Sequence, residues 1–124
     1  MIDFSNGSVF KLAACDPGEI AASVQPLFVE GEQIMVAAKT VRDFVVFTNK
    51  RIIAVNVQGI SGRKRDFSSL PYNKIQAFSI ETAGTFDLDA ELELWFSGLG
   101  KVKLEFKGNF DITYLGKLIG FYVL

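Results

Sequence analysis

The chain has 124 residues, with 13 Lys and Arg against 14 Asp and Glu, no His and one Cys. That length is most simply one domain, 1–124, whose core can be buried without help from a metal or a disulfide. The near-neutral balance removes any net-charge argument for nucleic acid or an anionic membrane as a partner.

The lone Cys15 has no intramolecular partner, so a reducing compartment fits best. With no His to activate it, Cys15 reads as a small buried or half-buried apolar residue. The start, MIDFSNGSVFKLAACD, lacks a charged segment followed by a long apolar run, and no stretch reaches the ~18 apolar residues of a spanning helix. The expectation is a soluble, cytoplasmic protein. Twelve Phe in so short a chain suggest more apolar surface than one small core hides, and self-association is the natural outlet.

Residues 1–15 carry no clear pattern and form an N-terminal extension of 1–29 together with the helix that follows. Asp16-Pro17-Gly18-Glu19 reads as a helix start: Asp16 at N-cap, Pro17 in the first turn, Glu19 at the capping-box position. Ile20, Val24, Leu27 and Phe28 line one apolar face, and Pro26 kinks or ends the helix. Glu30-Gly31-Glu32 is a turn. From there to residue 106 the pattern is of strands, at 34–41, 44–48, 51–57, 65–70, 75–81, 90–96 and 102–106. Most separators are short and rich in Gly, Asn, Asp, Ser or Pro, as hairpin connections require. Residues 111–124 are helical in pattern, with Asp111 as N-cap and Leu115, Leu118, Ile119 and Tyr122 at helical spacing. Seven strands and a final helix describe a mainly β, partly open antiparallel barrel closed at one end by that helix.

Two hairpins are informative. A two-residue turn at Asn49-Lys50 sets Phe44 and Val46 beside Val55 and Ile53 on one face. It sets Val45 and Phe47 beside Ala54 and Ile52 on the other. Both faces are apolar, whereas an antiparallel sheet normally wets one. A terminal helix or another subunit must cover the outer face. The subunit is the favoured reading, which makes Val45, Phe47, Ile52 and Ala54 the candidate oligomer interface. In the last hairpin, Glu91, Glu93 and Trp95 alternate with Leu92, Leu94 and Phe96. Lys101, Lys103 and Glu105 alternate with Val102, Leu104 and Phe106. Uniting the apolar sets needs an odd loop, met by three residues from Ser97–Gly100 with a Gly at positive φ. Glu93 then faces Lys103, or Glu91 faces Lys107. On the last helix, Gly116-x-x-x-Gly120 reads as close approach of helix to sheet, and Tyr114, Phe121 and Val123 leave the helix apolar around most of its circumference.

The segments RDFVVFTNKRII, QGISGRK, SLPYNKIQAFSIETAGTFDLDAEL and the WFSG turn closely resemble the bacterial pleckstrin-homology-like family, from about Ile20 to the C-terminus. The resemblance implies seven strands in two near-orthogonal sheets capped by a C-terminal helix, to which the N-terminal helix is an addition. It also implies a homo-oligomeric ring without enzymatic activity.

Basic residues provide the candidate anionic-ligand patch: Lys50 and Arg51 in one turn, Arg63, Lys64 and Arg65 at the end of the 58–64 inter-strand loop and the start of the next strand. Phosphoinositide-binding pleckstrin-homology domains grip phosphates with basic residues at the open end of the barrel, mainly on a long loop between the first two strands. Here that connection is only Arg42-Asp43, so lipid binding is expected to be weak or absent, and the charges read first as solvated turns. Asp87, Asp89 and Glu91 have period-two spacing, but Leu92 and Gly98 stand where a calcium loop needs Gly and Glu, so no metal site is expected. No metal-ligand cluster, Ser-His-Asp set or phosphate-cradling Gly loop is visible. The reading is a self-assembling, non-enzymatic binding or scaffold module without cofactor, with an unidentified protein as a further partner. The alternative is a module for an anionic ligand or lipid headgroup.

Overall fold

The computed structural model describes residues 1–4 and 11–124; residues 5–10 of the N-terminal extension lie outside the described residues. Two compact units can be distinguished, Met1–Ile2 with Ala14–Pro71 and Asp3–Ala13 with Tyr72–Leu124.

The first unit opens on the expected helical segment. Asp16 has extended backbone, and its Oδ1 accepts the Gly18 N–H at 2.9 Å. A 3-10 turn over Pro17–Glu19 leads into α1 (Ala21–Val24), and a second 3-10 turn covers Gln25–Leu27. Pro26 lacks an N–H for the helical ladder, which accounts for the loss of α geometry after Val24. Glu19, expected to reach back to the cap, pairs instead with Lys39 Nζ at 2.8 Å. Then β2 (Ile34–Lys39), β3 (Phe44–Thr48), β4 (Arg51–Gln58) and β5 (Lys64–Pro71) each pair antiparallel with the next.

The β3–β4 register is the one demanded by a two-residue turn: Phe44 opposite Val55, Val45 opposite Ala54, Val46 opposite Ile53, Phe47 opposite Ile52. One face packs under the helical segment, where Ile20 and Val24 meet Phe44, Val46, Ile53 and Val55. The other face is also buried: Val45, Phe47 and Ile52 have no exposed surface, and Ala54 has 1%. The expectation of a subunit contact through these four residues is therefore corrected. They lie in the interior of the single chain and offer a neighbour nothing to touch.

The second unit holds a strand that periodicity missed. β1 (Lys11–Ala14) runs parallel to β8 (Gly100–Phe106), with Lys11 opposite Glu105 and Leu12 opposite Phe106, and the Lys107 N–H donates to the Leu12 carbonyl at 2.8 Å. β8 pairs antiparallel with β7 (Ala90–Phe96), and β7 with β6 (Ile75–Glu81). The β7–β8 loop has the expected odd length, since Phe96 opposes Gly100, and both Gly98 and Gly100 take positive φ. α2 (Ile112–Val123) is capped by Asp111 Oδ1, which accepts the Tyr114 N–H at 3.0 Å, and it buries Ile112, Leu115, Leu118 and Ile119. Its glycines allow the close approach anticipated for them. A Cβ on Gly116 would fall 3.0 Å from Ile80 Cδ1, and one on Gly120 would fall 3.8 Å from Phe78 Cζ.

The mainly β fold with a C-terminal helix is thus as expected, with two differences. Among the described residues there are eight strands, two of which, β1 and β8, pair in parallel, and the sheet is open. Among the described residues β5 pairs with β4 alone and β6 with β7 alone, so no barrel closes. No helix among the described residues is long and apolar enough to cross a membrane.

Full burial of Phe47 sets a first expectation. Phe47→Ala should lower unfolding free energy in urea by about 3–5 kcal/mol, the usual cost of emptying a core aromatic site. Phe47→Asp should leave no folded chain. A folded Phe47→Asp monomer by circular dichroism would return that face to the surface.

Candidate functional site

The five basic residues do not form one patch. β4 is an eight-residue strand, with Arg51 at its start and Gln58, opposite Lys64, at its end. At ~3.3 Å per residue, Lys50 and Arg51 lie roughly 20 Å from Arg65 and its neighbours. The two groups were read as adjacent because their turns are near in sequence, but an intervening strand runs its full length between them.

Arg51 is also not free to bind a ligand. Its Nη2 lies 2.9 Å from Glu32 Oε1 and its Nε lies 3.0 Å from Glu32 Oε2, a two-pronged ion pair. Nη2 also donates to the Leu27 carbonyl at 2.6 Å, and Nη1 to Ser69 Oγ at 3.1 Å. The Glu32 side chain is fully buried. It accepts further bonds from Thr48 Oγ1 at 2.7 Å and from the Val29 N–H at 3.1 Å. Burial alone would raise the Glu32 carboxyl. The bonds from Arg51, Thr48 and Val29, with the guanidinium charge, outweigh it and hold the group below its ordinary value. This cluster ties the segment after α1 to the β3–β4 turn, so Arg51 is structural. Sequence reading placed Glu32 in a turn, and nothing in its neighbours signals burial.

At the other end of β4, Arg63, Lys64 and Arg65 are exposed. Arg65 Nη1 donates to Ser23 Oγ at 2.8 Å, leaving Arg63 and Lys64 as the more available pair. Arg42, from the β2–β3 turn, reaches the same loop through a bond from Nη2 to the Gly59 carbonyl. Asp43 is turned inward: Oδ1 accepts the Val57 N–H at 2.8 Å. Asp66 pairs with the N-terminal ammonium at 2.8 Å. Beside the cations, Val41 and Ile60 are fully exposed. Sequence reading passed over both. Val41 was read as the end of the 34–41 strand and Ile60 as part of the 58–64 connection, whereas β2 ends at Lys39.

The carboxylates are spread out as well. Asp87 lies in the 82–89 connection, where its Oδ1 accepts the Asp89 N–H at 3.0 Å; of the three only Glu91 is in a strand. No group of three or more His, Cys, Asp or Glu able to hold a metal occurs among the described residues. On β7–β8 Glu93 is opposite Lys103, one of the two registers anticipated. The ion pairs run diagonally, Lys103 to Glu91 at 3.3 Å and Lys101 to Glu93 at 3.9 Å. Cys15 is half-buried, and burial, then the Glu19 carboxylate, push its thiol above the ordinary value, the direction of an unreactive thiol.

An open sheet with a C-terminal helix is a fold met in known proteins. The sequence matches the bacterial PH domain family over residues 3–123. The chain belongs to this family. It is 41% identical over 118 residues to the uncharacterized protein YjqA of Bacillus subtilis, covering 94% of each. It is 39% identical over 94 residues to the uncharacterized protein YozO of the same organism, covering 75% of this chain and 80% of that one. Among solved structures, a DUF1696 family protein with a pleckstrin-homology domain from Shewanella loihica superposes with a TM-score of 0.80 at 39% identity, over 95% of this chain and all of the other. A pleckstrin homology domain from Shewanella amazonensis gives 0.68 at 41% identity, over 97% and 94%. The pleckstrin-homology fold read from the sequence is therefore the fold of this chain.

The Glu32–Arg51 cluster yields a pH dependence. Glu32 titrates lower in the folded chain than its unfolded value of about 4.3, so its contribution is present above that pH and is lost as pH falls through the lowered folded value. Glu32→Gln should cost about 1–3 kcal/mol at pH 7. The gap in thermal midpoint between it and the wild type should narrow steadily from pH 5 to pH 3. A gap constant over that range would contradict the assignment.

Proposed function

We propose that this bacterial PH domain is a non-enzymatic binding module that assembles with copies of itself. The observation that carries the reading is the outer face of α2. The helix ITYLGKLIGFYV has one charged residue, Lys117. Tyr114, Lys117, Phe121 and Leu124 recur at i, i+3, i+7 and i+10 and form one outward stripe. Phe121 is 78% exposed and Leu124 96%. A surface helix normally presents charge to water, and one that is apolar all round is normally covered on more than one side. The likeness read from the sequence implies a ring of copies, and this stripe gives such an assembly a surface that the buried β3–β4 hairpin does not.

The test is light scattering coupled to size-exclusion chromatography. The wild type should run as a multiple of 13.7 kDa. Phe121→Glu should lower the assembled mass while leaving the far-ultraviolet spectrum unchanged, because the side chain faces outward. A wild-type mass of one chain across micromolar concentrations would end the reading.

A further inference from the structure

The two outer strands, β5 and β6, are guarded unequally. β5 carries Lys64, Arg65, Asp66 and Pro71, and the chain start lies against it, with the N-terminal ammonium on Asp66 and the Ile2 N–H on Ser68 Oγ. Charges and prolines of this kind keep other strands off an edge. β6 has almost none of them. Its sequence, IQAFSIE, holds no Pro and a single charge, Glu81 at the last position. A register shift between Ile75 and Ala77 breaks the ladder near its start, but from Ala77 to Glu81 the pairing with β7 is regular.

Only one side of that strand is used. Among the described residues β6 pairs with β7 and with no other strand. Alternate residues therefore turn their N–H and C=O groups away from β7, and Gln76, Ala77, Ser79 and Ile80 are exposed. One face of the edge is walled by α2, where Gly116 meets Ile80 and Gly120 meets Phe78. The other face, with Ala77 and Ser79, is open to water. The two ends differ in charge. Exposed Lys74 precedes the strand, and Glu81 closes it opposite Glu91.

We propose that the β6 edge takes an extended segment of another protein as an added strand. A row of unpaired backbone donors and acceptors calls for an extended backbone rather than a helix or a small molecule. Antiparallel addition is the more stable direction. It sets the start of the guest at Glu81 and its end at Lys74, so the guest begins on a basic residue and ends on an acidic one. Between them, apolar side chains beside α2 alternate with polar ones on the open face. The β5 edge of a second copy is a poor guest, because its charges, Pro71 and the chain start obstruct it. This contact goes beyond self-assembly and makes no use of Phe121 or Leu124.

The probe is a blocked peptide of Lys, three Val-Thr pairs and Glu, titrated into the full chain and followed by amide exchange. Added antiparallel, it sets Val beside Ile80 and Phe78 and Thr beside Ser79 and Ala77. Saturable binding should protect alternate amides between residues 77 and 81 and none in β5. Two further peptides are N-methylated, one on its Val and one on its Thr nitrogens. One of them should bind at least about tenfold more weakly and the other within about twofold of the parent, because an added strand bonds through alternate amides only. In low salt Glu81→Lys should weaken the parent peptide about threefold or more.

No gain of protection on β6, a gain confined to another strand, or equal loss with both methylated peptides would overturn the proposal. An affinity unchanged by Glu81→Lys would overturn the chemistry assigned to the guest. Protection of the outward β6 amides in the chain alone, falling on dilution, would give the edge to a neighbouring copy instead. A monomeric wild type that binds the peptide removes the self-assembly reading and supports this one.

Discussion

Burial of the β3–β4 hairpin on both faces is the constraint on which the rest of the first unit depends. Alternation along Phe44–Thr48 and Arg51–Gln58 puts large apolar side chains on each side of the ribbon, and an antiparallel ribbon cannot leave both sides in water. The helical segment over Pro17–Leu27 answers for one side through Ile20 and Val24. That segment must then be held in place, and the Glu32–Arg51–Thr48 cluster does this where the segment turns into β2. A buried carboxylate is tolerated there because a guanidinium, a hydroxyl and an amide surround it. Removing one partner strands the others.

The same constraint decides where function can lie. A hairpin consumed by the core is unavailable to partners, and an arginine consumed by a buried carboxylate is unavailable to phosphates. Exposed apolar side chains stand instead on the outer stripe of α2 and at loop tips, Val41, Ile60, Phe86 and Leu88 among them. These are side chains that local folding leaves unused. Their charges also differ in kind from those on β7–β8, where Glu91 and Lys103 satisfy each other.

Much of the fold was legible in the sequence because it rests on short-range rules. The β3–β4 register follows from a two-residue turn, the three-residue β7–β8 loop from parity, the α2 cap from Asp111, and Gly116 from the need to approach Ile80. β1 was not legible. Four residues, KLAA, are too few to show a period, and the partner strand lies some ninety positions away, Lys11 opposite Glu105. The interface residues Val45, Phe47, Ile52 and Ala54 were misplaced for a related reason: alternation reveals that a face is apolar but not what covers it. The basic patch failed on distance. Neighbouring turns in sequence became opposite ends of one strand, and Arg51 was taken by Glu32, a pairing that no spacing rule anticipates.

Native-state hydrogen exchange tests the burial of the hairpin most directly. The account predicts that the amides of Val45, Phe47 and Ile52 exchange only through global unfolding, with the same protection at every protein concentration. Protection that falls on dilution, while β7 and β8 remain protected, would show that a neighbouring chain rather than the interior covers that face, and would contradict it.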